Sequence, residues 1–112
     1  MDIEARHVGD VLIINISGRL DGLAAQDAQD RILNIVRDED LRVLLNLEKL
    51  AYLSSAGLRV ILQIAKLLDE KRGELKICKA AGGVRYTLDL VGFHSLIKIY
   101  DTEHDAFSTF RA

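Results

Sequence analysis

Arg42-Val43-Leu44-Leu45-Asn46-Leu47 is an apolar run too short for a helix, and polar segments flank it on both sides. Such a run reads as a strand buried on both faces, the mark of a central strand in a parallel sheet. Upstream, two short runs containing β-branched residues, Ile3 to Val8 and Val11 to Ile16, flank Gly9-Asp10 and read as a hairpin. Gly18-Arg19-Leu20-Asp21-Gly22 breaks that pattern. From Ala25 the period changes: Ala25, Ala28, Ile32, Ile35 and Val36 recur at helical spacing, with Gln26, Asp27, Asp30, Arg31 and Asn34 on the other face. Downstream, a second helix is expected from about Ala56 to Arg72, with Lys71 and Arg72 at its negative end and Gly73 as its C-cap. Leu75 to Lys79 reads as a strand and Ala80-Ala81-Gly82-Gly83 as a loop. Val84, Leu88 and Val91 suggest a short helix ending at Gly92. Ile97 to Tyr100 reads as a strand, and Asp105 to Phe110 as a closing helix. The order is β-β-α-β-α-β-α-β-α: an α/β fold whose mixed sheet has about five strands, carrying about four helices. Residues 1–112 are expected to form one domain, with no internal repeat, low-complexity tract or linker.

The chain has 112 residues and a formal net charge of −2, with basic and acidic residues interleaved. A phosphate-backbone binder needs clustered Lys and Arg, so nucleic acid is not expected as a direct partner. Cys78 is the only cysteine, which excludes an internal disulfide, and its apolar setting predicts a buried, inert thiol. No basic-then-apolar leader opens the sequence, and no apolar run approaches the ~18 residues of a membrane span. A reducing cytosol, with no membrane insertion, is the expected setting.

Catalytic constellations are missing from the pattern. His7, His94 and His104 are scattered and share no metal-ligand spacing, so neither a metal nor a cofactor is expected. Neither a G-x-G-x-x-G nor a G-x-x-x-x-G-K-[ST] loop is present, and no G-x-S-x-G elbow surrounds Ser54 or Ser55. A phospho-receiver domain would hold a carboxylate at the end of its central strand, where this chain has Asn46. The expectation is a protein that is not an enzyme.

Ser54-Ser55 stands between the Leu44–Leu47 strand and the second helix, where N-caps occur. A capping hydroxyl accepts a bond from an orphan backbone N–H and contributes about 1 kcal/mol. Capping accounts for one serine but not for the second, nor for the small Ala56-Gly57 pair, which would leave the helix start open to a partner. Along that helix Leu58, Ile61, Leu62, Ala65 and Leu68 form a core stripe, and Arg59, Gln63, Lys66 and Glu70 a solvent stripe. Val60, Ile64 and Leu67 form a further apolar strip. Either neighbouring elements cover that strip, or part of it near Val60 belongs to a docking surface.

Several stretches, in order, resemble the STAS domain, and specifically the single-domain anti-sigma factor antagonists of bacterial partner-switching pathways. They are Gly18-Arg19-Leu20-Asp21, Val43-Leu44-Leu45-Asn46-Leu47, Leu53-Ser54-Ser55-Ala56-Gly57-Leu58, Leu88-Asp89-Leu90-Val91-Gly92-Phe93 and Ile99-Tyr100-Asp101-Thr102. The resemblance implies a phosphorylation switch. The family pattern is Asp-Ser-(Ser, Thr or Ala)-Gly-Leu, whose phosphorylated serine corresponds to Ser55 here, with Ser54 as second choice. Ser54 stands where the acid is usual, Arg59 where sporulation-type members carry a glycine, and Asn46 where an Asp is frequent. The implied partners are an anti-sigma factor with serine kinase activity and a metal-dependent phosphatase acting on the phosphorylated form. The unmodified chain, a monomer when free, would bind the anti-sigma factor and release the sigma factor. The expected partner-binding residues are Asp21, Ser54, Ser55, Ala56, Gly57, Arg59 and Val60. The alternative within the resemblance is a non-switching STAS subunit docking on a larger complex such as a lipid-transport ATPase.

Overall fold

A computed structural model describes residues 1–90, 92 and 97–110. The chain runs β1 (Asp2–Val8), β2 (Val11–Leu20), α1 (Ala25–Ile35), β3 (Arg42–Asn46), β4 (Leu50–Leu53), α2 (Ser55–Glu70), β5 (Glu74–Cys78), α3 (Gly82–Leu90), β6 (Ile99–Tyr100) and α4 (Glu103–Thr109). The first two strands form the expected hairpin, and every other pairing in the sheet is parallel. The spatial order is β1-β2-β3-β5-β6, with β4 paired to the far end of β2.

Both faces of the central strands are covered, which is why β2 and β3 read as continuous apolar runs rather than alternating ones. On one face Leu12, Ile14, Val43, Leu45 and Ile77 meet Ala28 and Ile32 of α1, Ile61, Ile64 and Leu68 of α2, and Leu88 of α3. On the other, Val11, Ile13, Leu44 and Cys78 pack beneath Ala106 of α4, with Tyr100, Phe107 and Phe110 at the margin. Thr102 caps α4 by accepting the Asp105 N–H at 3.0 Å, so the helix starts two residues earlier than the sequence suggested.

The sixth strand, β4, is absent from the sequence reading. Only its two end residues are buried, and four residues give no readable alternation. Its presence depends on β2, which runs to Leu20 instead of stopping at Ile16. A register shift between Gly18 and Arg19, with Gly18 at φ +87°, lets the strand change partner from β3 to β4. The C-terminus of α2 also differs from expectation. Arg72, not Gly73, takes the left-handed conformation (φ +62°), while the Gly73 N–H donates to Leu68 O at 2.7 Å. Gly73 is needed for space: a Cβ there would lie 2.6 Å from the Leu41 carbonyl oxygen. The third helix is described over Gly82–Leu90, and Val91, expected on it, lies outside the described residues.

Candidate functional site

The ends of β2 and β4 meet the start of α2, and the backbone pins them together. Leu20 pairs with Leu53 in register, and the Leu20 carbonyl accepts both the Ser54 N–H (3.0 Å) and the Ser54 hydroxyl (3.1 Å). The same hydroxyl oxygen accepts the Gly57 N–H at 3.1 Å, capping the helix. Ser54 is thus the structural serine, committed as donor and as acceptor. Ser55, the first residue of α2, is exposed, and its hydroxyl bonds to no group among the described residues. Position and chemistry separate the two serines cleanly.

Gly57 lets this corner close. A Cβ on it would lie 2.7 Å from Leu20 O and 2.8 Å from both Leu20 Cγ and Leu53 Cδ1. Gly57 is buried and serves here as a spacer, while Ala56 is half-buried against the core. Asp21 follows Leu20 directly and so lies beside the serine pair. Its Oδ1 accepts the Leu23 and Ala24 N–H groups at 3.1 and 3.0 Å, shaping the turn into α1. Its other oxygen lies 3.9 Å from Arg19 Nε, and the Arg19 guanidinium stacks 4.4 Å above the Tyr52 ring.

Val60 requires a correction. It is 3 % exposed and packs in the main core, as does Ile64, so the part of the strip near Val60 is covered by the chain's own core rather than left open as a docking surface. The helix is turned slightly from the expected orientation, so Leu62, expected in the core stripe, lies at the surface with Leu67. Arg59 points to solvent and has no hydrogen-bond or ion-pair partner among the described residues. Sequence reasoning overlooked Leu23, which is 96 % exposed on the loop shaped by Asp21, and Tyr52, which is 42 % exposed beside Arg19. Leu23 falls between turn residues, and a lone leucine in a loop carries no periodic signal.

The remaining chemistry-bearing residues have structural duties. Asn46 donates to Glu103 Oε2 at 2.8 Å and accepts the Glu48 N–H at 3.0 Å, while Arg6 pairs with the same Glu103 carboxylate. An Asp at position 46 would face that carboxylate, which accounts for the amide. Burial, followed by the nearby Glu103 charge, pushes the Cys78 thiol up to about 12, so it is inert at neutral pH. His7 Nε2 lies 3.0 Å from Oδ1 of the buried Asp40, a structural contact the sequence did not suggest. His104 is exposed, and His94 lies outside the described residues.

A mixed α/β sheet that aims the start of its second helix, with a free serine, at one end of the strands defines a class of small scaffold. A match to the family model of the STAS domain over residues 2–106 shows that the chain belongs to that family. It is 32 % identical over 109 residues to the anti-sigma F factor antagonist of Paenibacillus polymyxa, covering 96 % of this chain and 93 % of that one. Among solved structures, an anti-sigma factor antagonist from Mycobacterium paratuberculosis superposes with a TM-score of 0.89 at 21 % identity, covering 99 % of this chain and 94 % of that one. The Bacillus cell fate determinant SpoIIAA in its phosphorylated form superposes with a TM-score of 0.74 at 19 % identity, covering 98 % and 100 %.

Proposed function

We propose that the chain is an anti-sigma factor antagonist of a bacterial partner-switching pathway, acting as one cytoplasmic domain without enzymatic activity of its own. In its unmodified form it binds an anti-sigma factor that is also a serine kinase, freeing the sigma factor. Phosphorylation of Ser55 ends that binding, and a metal-dependent phosphatase restores it. The observation that carries the reading is the division between the serines: Ser55 is exposed and uncommitted, while Ser54 is tied to Leu20 and Gly57. The recognition surface in this reading comprises Ser55, Ala56, Asp21, Arg19, Tyr52, Leu23 and Arg59.

The electrostatics support the direction of the switch. A phosphoserine adds roughly −1.5 to −2 charges at pH 7. At the start of a helix that charge is tolerated by the isolated chain. Against a partner it must be desolvated, with the Asp21 carboxylate on the adjoining β2 end adding a like charge. A penalty of about 3 kcal/mol would weaken binding more than a hundredfold. The test is intact-mass measurement after incubation with the cognate kinase and ATP. One added phosphate on the wild type and none on Ser55→Ala is the expected result. Equal phosphorylation of both proteins would overturn the assignment.

A further inference from the structure

Arg59 has no hydrogen-bond or ion-pair partner among the described residues and stands one helical turn beyond Ser55. Ser55 and Arg59 are four residues apart on α2, so they share a face with Cβ atoms about 5–6 Å apart. Each Cα–Cβ bond on a helix tilts toward the N-terminus, which inclines Arg59 back over Ser55 rather than away from it. Both residues are exposed, and Arg59 pairs with nothing among the described residues. The other arginine of this corner, Arg19, is already engaged, stacked on Tyr52 and beside Asp21.

Building on the reading of Ser55 as the phosphate acceptor, we infer that Arg59 clamps the phosphate of phospho-Ser55 within the same helix. The guanidinium fork fits phosphate oxygens bidentately. The order of the pair, anion first and cation four residues later, is the favourable one on a helix. Arg59 then differs between the two states. In the unmodified chain it projects freely from the recognition surface. In the modified chain it is folded back onto the phosphate, so one modification both adds an anion and withdraws a cation from the partner's reach.

The test uses the full chain with phosphoserine installed at position 55 by site-specific incorporation, verified by mass, so that no kinase is needed. The second ionisation of the phosphate is followed by phosphorus NMR as a function of pH in wild type, Arg59→Gln and Arg59→Lys. The clamp favours the dianion, so the wild-type midpoint is expected below that of Arg59→Gln by about half a pH unit, a gap that narrows in 1 M salt. Arg59→Lys keeps the charge without the fork and should recover part of the gap. Identical midpoints for wild type and Arg59→Gln would overturn the clamp. That outcome is distinct from a failure of the kinase assay, which bears on Ser55 as the acceptor and leaves the clamp measurement standing.

Discussion

Replacing Gly57 with alanine sets two effects against each other, and the structure says which one wins. Alanine in place of glycine inside a helix is favoured by roughly 1 kcal/mol on propensity alone. Here, however, the new methyl would sit 2.7 Å from Leu20 O and 2.8 Å from two leucine carbons, where 3.4 Å begins ordinary contact. The nearest obstacle is backbone, so it cannot rotate away, and α2 must retreat by several tenths of an ångström. A gap of ~0.5–1 Å forfeits a quarter to a half of each dispersion contact it opens, here those of Leu58 and Ile61. Overpacking of this kind costs about 1–3 kcal/mol, and the strain and lost contacts together exceed the propensity gain. The net expectation is a loss of about 1–2 kcal/mol, read by urea denaturation as a lower midpoint with unchanged slope. Gly73→Ala is the matched control. Its methyl would meet Leu41 O at 2.6 Å, but just beyond the opposite end of α2, where the helical stretch from Gly57 to Glu70 alone spans about 20 Å at 1.5 Å per residue. Both variants should be destabilised, yet only Gly57→Ala should also slow phosphorylation of Ser55, because only it disturbs the Ser54–Leu20 junction. A Gly57→Ala protein as stable as wild type would refute the packing argument. Equal phosphorylation of the two variants would refute the link from that junction to the site.

Further outcomes follow from the same contacts. Ser54→Ala removes the cap and one of the two bonds to Leu20 O, and should lower stability by about 1–2 kcal/mol in the same denaturation assay. Ser55→Ala, which removes no bond among the described residues, should change it by less than about 0.5 kcal/mol. Asp40 supplies a pH dependence. Burial alone would raise its pKa, but the Arg37 N–H, the His7 side chain and the Lys71 charge outweigh burial and hold the carboxyl below its usual value. A lowered folded-state pKa gives stability that is present above the unfolded value near 4 and is lost as pH falls through the folded one. Asp40→Asn should therefore be less stable than wild type at pH 7, and the difference should shrink on acidification below about pH 4. A gap independent of pH would refute it.

The legible part of the fold was the part governed by local pattern. The buried β3 run, the hairpin and the spacing of α1 and α2 each follow from burial acting on consecutive residues. What sequence did not reveal depends on contacts between segments distant along the chain. β4 exists because β2 shifts register at Gly18 and offers its far end, a fact held jointly by residues some thirty positions apart. Val60, left open between core and docking surface, lies in the core, and Leu62, expected in the core, lies at the surface, because a wide apolar arc does not specify the rotation of a helix to within one residue. The residues alone gave a pair of serines of which one caps the helix, and the family resemblance favoured Ser55 as the acceptor, but the division of labour, which serine does the capping, was not legible. That division is set by the carbonyl of Leu20, which no reading of Ser54-Ser55 alone could supply.

The same division bears on the acid that the family pattern carries before its phosphoserine. A carboxylate at position 54 could accept the Gly57 N–H as Ser54 does, but it could not donate to Leu20 O, which would keep only the bond from the backbone N–H. Ser54 therefore retains the capping half of that role and adds a second tie to β2. It also leaves the start of α2 one negative charge poorer. A phosphate added next door then meets no anion at position 54 and, in our reading, an arginine at position 59. The departures at the two positions act in the same direction: both make the helix start more accommodating to phosphate. If Ser55 is the switch proposed above, the charge balance at its phosphate is set in part by the residues on either side of it.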